Sequence, residues 1–351
     1  MQKRLQVSFD DRTYWNVVKG IAIAAMVLGH AIQYGGGANY YNSSSYFENI
    51  VFRTIYGFHM PLLIFVSGYL FAFSIKKYSL KRLCHKKMTS LLLPLMVNVA
   101  ILVLLYESNL TSWGGLKYTG MHIIFSLARK FWFLWAVMYC MVFVIAIKNL
   151  HLKLCIEYLL ALLGIIVFYL IPDTIVPNAE LYKYMLPYFV LGFYLNGKES
   201  DIARFFKKKY WFVLMCLVVY AICIYGFHTR DYVYISGSYI FCSRDVMDNI
   251  FICLKRIMMG YAGIAAILAC SFILVKKIGG VADSLAYFGK NSLGIYIFST
   301  WCFDGLALHL YSSYNVIYIL LTFVMSLVFS LLMTYLVEKN NITRMLLLGG
   351  R

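Results

Sequence analysis

The sequence predicts an all-α, polytopic integral membrane protein with about ten transmembrane helices. Of its 351 residues, 62% are hydrophobic and only 13% are charged, whereas a soluble domain is nearer half apolar and a quarter charged. Long apolar runs recur along the whole length, which is the pattern of membrane-spanning helices. Lysine and arginine concentrate in alternate connections between those runs, as the positive-inside rule expects.

Taken in order, helices are expected at about 17–34, 51–75, 89–106, 131–147, 154–171, 181–195, 210–227, 250–275, 284–304 and 314–337. Each is near the ~20 residues that a bilayer core requires, the first and sixth being short. Together they make one transmembrane domain over 1–351, with no separate soluble domain. No short apolar core followed by a small-residue cleavage site is present, so the first helix is expected to serve as the targeting signal. The segment GGGANYYNSSSYFEN at 35–49 reads as a polar, flexible loop on the outer side. Ten helices put both termini on one side. With the termini in the cytoplasm, 23 of the 32 basic residues fall on the inner side. The net charge of +17 then reflects topology and contact with anionic headgroups, not nucleic acid. Nine cysteines without a C-x-x-C read as small buried hydrophobes, with neither a disulfide framework nor a metal site expected.

The first helix carries KGIAIAAMVLGH, with Lys19 and His30 eleven residues apart. Eleven steps of ~100° fall within ~20° of whole turns, so both side chains share one face, ~16 Å apart along the axis. Ala22, Ile23 and Met26 lie between them, a slim strip that something could pack against or pass beside. Taken alone, His30 is either an interfacial histidine bonded to a neighbouring helix or a general base near neutral pH. Lys19 is either a snorkelling boundary lysine or a ligand contact.

The second helix carries FHMPLLIFVSGYLF at 58–71. A first helix with a basic start and a GH end, followed by HMP and SGY, resembles the membrane-bound acyltransferase-3 family. LLLPL at 91–95, KFWFLWAVMY at 130–139, LPYFVLGFYL at 186–195 and YFGKNSLGIYIF at 287–298 are similar to its later segments. The resemblance covers roughly residues 12 to 300. It implies an O-acyltransferase of the bacterial cytoplasmic (inner) membrane. Such an enzyme moves an acyl group, commonly acetyl, from cytoplasmic acetyl-CoA or another acyl-CoA to a hydroxyl of a surface polysaccharide or its lipid-linked precursor. The family's catalytic basic-x10-His pair maps onto Lys19 and His30. Three positions depart from the family: a lysine stands at 19 where arginine is frequent, Asn16 replaces a common acid, and Ser299 replaces a common histidine.

No G-x-S-x-G nucleophile setting was found, so direct transfer with His30 as base is the simplest chemistry. The basic segment KKYSLKRLCHKK at 76–87 is a topology-setting loop, or Lys81, Arg82, Lys86 and Lys87 bind coenzyme A phosphates. His59 before Pro61 is either a bonded residue at a kink or an acceptor contact. Ser67 and Gly68 either permit close helix approach or touch substrate. Lys255 and Arg256 either snorkel to the outer interface or face a wet cavity and meet the acceptor. Trp132, Trp135, Tyr188 and Tyr296 read as interfacial or packing residues. Two rivals fit less well. A transporter or flippase of lipid-linked glycans predicts inverted halves with broken helices. A polysaccharide polymerase predicts a large outer loop with paired arginines, but Arg230 and Arg244 lie well apart.

Overall fold

The computed structural model describes residues 12–107, 113–198, 210–242, 245–307 and 314–350. Lys3, Arg4, Arg204, Lys207, Lys208, Lys209, Arg244 and Arg351, which enter the charge arguments, lie outside the described residues. All regular structure among the described residues is helical. In chain order the helices are α1 Arg12–Gly35, α2 Ala38–Asn42, α3 Ile50–Lys77, α4 Leu80–Lys87, α5 Leu93–Tyr106, α6 Trp113–Arg129, α7 Trp132–Lys148 and α8 Leu154–Leu170. They continue as α9 Ala179–Leu195, α10 Tyr210–Tyr225, α11 Val233–Ser236, α12 Val246–Lys277, α13 Gly279–Lys290, α14 Ser292–Ala307, α15 Val316–Glu338 and α16 Asn341–Leu348.

Helix occurs in each of the ten expected regions, but among the described residues fewer than ten helices are individually long and apolar enough to cross a membrane. Five qualify: Thr13–Gly35, Ile50–Lys77, Leu80–Tyr106, Val246–Val275 and Val316–Glu338. A sixth arises if α6 and α7, bent by 56° at their junction, form one span. The chain is therefore a membrane protein, with five or six such helices among the described residues by length and composition. α15 bares Leu320, Leu321, Val324, Met325 and Val328 on its outer face, a surface suited to lipid rather than water.

Several expectations need correction. The ninth region is two helices, α13 and α14, separated at Asn291. The third extends back to Leu80, because α4 runs through a π-turn at Met88–Leu92 into α5. The basic segment 76–87 is thus mostly helical. Residues 35–49 are not a flexible loop, since α2 and a 3₁₀ turn at Ser45–Glu48 fold them onto the bundle. Tyr46 and Phe47 are buried there, with Phe47 packed on Tyr232 at a ring distance of 4.4 Å. Helix α6 was not anticipated.

α1 stands at the centre, against α3, α12, α13, α14 and α15. Small residues make this possible. A Cβ on Gly20 would overlap the Leu285 carbonyl of α13, and one on Gly289 would overlap the Asn16 carbonyl of α1. Gly68 and Gly192 likewise bring α3 and α9 into backbone contact, the close-approach role expected of SGY. On α15, Thr322, Ser326, Ser330 and Thr334 form a buried stripe, with Ser330 and Thr334 donating to carbonyls one turn back. Gly35 and Gly294 seat against Thr322 and Thr334. Gly289→Val must force α1 from α13 and will abolish accumulation of folded protein. Gly279→Val, at a position with no neighbour within 4 Å, will accumulate normally. Gel filtration of detergent extracts compares the two.

Candidate active site

Lys19 is half-buried on α1 and lines two adjoining cavities. The larger has a volume of about 810 Å³ and is walled by Trp15, Asn16, Tyr69, Phe73, Lys290, Asn291, Thr334 and Glu338. The smaller, about 190 Å³, is narrower and more apolar, with Ile23, Ser67, Lys87, Phe133 and Tyr296 in its walls. Lys19, Leu70, Ser292 and Leu293 belong to both. Their joint volume falls in the range of small-molecule sites. Among the described residues the lining carries three lysines and one glutamate, donors suited to a polyanion. The Trp15 and Tyr69 rings stack at 4.0 Å, fixing α1 to α3 at the larger cavity's wall. The break at Asn291 brings Lys290, Asn291 and Ser292 into the lining. GKNS was visible in the sequence, but its role depends on that break.

Beyond Lys19, the strip of α1 leading to His30 is packed rather than open: Ala22, Ile23 and Met26 are all buried. His30 is half-buried. Its Nδ1 lies 3.3 Å from Gln33 Oε1. With Nδ1–H donated to that oxygen, Nε2 holds the lone pair that a base requires. The ring sits among Phe303 at 5.3 Å, Tyr34 at 6.2 Å and Tyr56 at 6.4 Å. Next to Phe303, Asp304 pairs with Lys130 at 2.5 Å, and Lys130 also pairs with Glu107 at 3.0 Å. His122 completes the cluster on Glu107, also at 3.0 Å. These charges tie α5, α6 and the start of α7 to α14 near His30. Sequence reasoning missed Gln33, Phe303 and this cluster, although a lone Asp in STWCFDGLA and a lone Lys before WFL were available as signals.

His59 is buried, with Nδ1 bonded at 2.8 Å to Ile55 O one turn back. It lines a small cavity of about 20 Å³ with Tyr56, Tyr184, Tyr232, Tyr234 and Arg256. The Tyr56 ring lies 4.7 Å from His59 and 6.4 Å from His30, so the two histidines share one aromatic neighbour. Arg256 is buried, and its Nη2 donates to Ser236 Oγ at 2.8 Å. Lys255 neither snorkels nor faces that cavity. It donates to Asp231 Oδ2 at 2.6 Å and to Gly226 O at 3.0 Å. Ser67 belongs with Lys19 rather than with His59, and its hydroxyl donates to Leu63 O.

Of the four basic residues proposed for phosphate, only Lys87 reaches the cavities. Lys81, Arg82 and Lys86 are exposed on α4. Lys77, Arg82 and Lys86 gather around the Tyr78 ring. The hydrogen bond from Lys86 holds the Tyr78 phenol below its usual pKa. Tyr188 is a buried packing residue, and Tyr296 is buried in the wall of the smaller cavity. Trp135 is half-buried, and its Nε1 donates to Leu127 O across the α6–α7 bend.

A family profile described as "Acyltransferase domain" matches residues 12–335. The Nodulation protein NolL of Sinorhizobium fredii is 30% identical over 227 residues, 63% of this chain and 58% of that protein. The Nodulation protein NolL of Mesorhizobium japonicum is 26% identical over 223 residues, 63% of this chain and 57% of that protein. The chain thus spans less than two thirds of the length of these relatives. No solved structure matches.

Proposed function

Because the chain belongs to this acyltransferase family, we propose that it transfers an acyl group, in the simplest case acetyl, from acyl-CoA to a hydroxyl of a bacterial surface polysaccharide or its lipid-linked precursor. The observation that carries this reading is the placement of Lys19 and His30 on α1. Lys19 opens into cation-lined cavities at one end, and His30 sits among aromatic residues nearer the other.

In this reading coenzyme A enters from the cytoplasm at the Lys19 end. Lys19, Lys87 and Lys290 meet its phosphates as charged donors, and the acyl-bearing arm follows the narrow cavity toward Tyr296. His30 lies ~16 Å along α1 from Lys19, within the span of an extended arm. Met26, between them on α1, is buried, so donor binding must open that packing. His30 Nε2 takes the proton of the acceptor hydroxyl as its oxygen attacks the thioester carbonyl. The tetrahedral oxyanion collapses, the C–S bond breaks, and the coenzyme thiolate leaves and is protonated, regenerating neutral His30. His59 and Arg256 face the acceptor. Purified protein given acyl-CoA and a glycan acceptor should release free thiol and form ester in equal amounts. Thiol release that does not depend on the acceptor would overturn this reading.

The reading also assigns ten spans in the inner membrane, with both termini and α4 in the cytoplasm, supported by the division of basic residues at 23 to nine. Single cysteines placed at 80 and 351 in a background without accessible thiols should resist membrane-impermeant maleimide in intact cells and react after lysis. Labelling of either in intact cells would reverse the orientation.

A further inference from the structure

Arg256 is only 3% exposed, and its Nε has no hydrogen-bond partner. A guanidinium stays charged at any physiological pH, and a buried charge without a counter-ion is costly. Its neighbours do not supply one. Lys255 takes Asp231, and Lys183 takes Asp173, whose second oxygen accepts from Ser238 N and Tyr239 N. Glu180 neighbours Tyr234 but forms no ion pair with Arg256. Among the described residues no carboxylate lies within 4 Å of Arg256. Arg53, which touches Tyr232 and donates to Ile224 O, also forms no ion pair among the described residues. Arg256 thus leaves an excess positive charge in the wall of the small cavity shared with Tyr56, His59, Tyr184, Tyr232 and Tyr234.

Building on the acyl-transfer reading, we propose that this cavity is an acceptor subsite for a carboxylate, so that the acceptor glycan contains an acidic sugar. The space is about 20 Å³, room for roughly one water-sized group. One oxygen of a carboxylate fills that space. The guanidinium presents donors in a plane that matches a carboxylate. The shared Tyr56 ring places the anchored sugar beside His30.

The test is binding, which requires no turnover. Purified protein in nanodiscs is titrated with a glucuronate-containing oligosaccharide, its carboxyl-reduced neutral counterpart and a sugar phosphate, each followed by ligand-observed NMR. Wild type should prefer the acidic oligosaccharide, and Arg256→Gln should weaken that binding about ten- to a hundredfold while weakening the neutral sugar much less. Arg256→Lys should retain part of the preference. Thermal unfolding of Arg256→Met without ligand should match or exceed wild type, since it removes a buried unpaired charge. Equal binding of the acidic and neutral sugars, a preference for the phosphate, or a large loss of stability in Arg256→Met would each overturn the proposal. If the acidic sugar binds as expected but no ester forms from acyl-CoA, the acyl-transfer reading fails instead.

Discussion

His30→Ala abolishes acyl transfer while the protein still inserts and accumulates. A positioned general base contributes roughly 10²–10⁴-fold to such a step, and no other imidazole shares the Lys19 helix face. The structural cost is small, because His30 is half-buried and makes one side-chain bond, a 3.3 Å contact with Gln33. Loss of activity is therefore separable from loss of fold. Ester formation by the purified variant, compared with its yield and gel-filtration profile, checks the expectation. Turnover near that of wild type would remove His30 from the chemistry. Gln33→Leu should lower kcat less than His30→Ala does, because it only releases the imidazole from one orientation.

Lys19→Ala raises the KM for acyl-CoA by about one to two decades, with the acceptor KM nearly unchanged. Lys19 is the cation common to both cavities, so it meets the donor wherever the donor lies between them. Losing a charge-assisted hydrogen bond costs roughly 1.5–3 kcal/mol, which is that range of affinity. Lys19→Arg keeps the charge and part of the activity. Lys87→Ala touches only the narrow cavity and should have a smaller effect. Lys81→Ala, on the exposed face of α4, should have less still. If the acceptor KM alone rises in Lys19→Ala, Lys19 belongs to the other substrate.

Much of this arrangement is written in local pattern. Apolar runs located helix in ten regions, the eleven-residue spacing put Lys19 and His30 on one face of α1, and SGY announced a close crossing that Gly68 makes with α9. What escaped depends on partners distant in sequence. Helix α6 begins with Gly114, Gly115, Lys117 and Gly120, a poor helical signal that packing against α5 overrides. Lys255 looked like a cavity residue because Asp231 lies 24 positions away. Ser67 and His59 share a helix, but neighbouring helices assign them to different cavities. The folding of 35–49 rests on Tyr46 and Phe47 meeting Tyr232 and Phe52, contacts that a polar composition conceals.

On the acyl-transfer proposal, the acyl donor occupies the Lys19 cavities. Photo-crosslinking with a diazirine-bearing acyl-CoA analogue, followed by peptide mapping, shows where it binds. Label is expected on peptides from α1, α3 and the start of α14, concentrated near Lys19, Leu70 and Leu293, and competed away by unlabelled acyl-CoA. Competed label concentrated instead around His59, Tyr234 and Arg256 would place the donor in the opposite site and overturn the donor assignment.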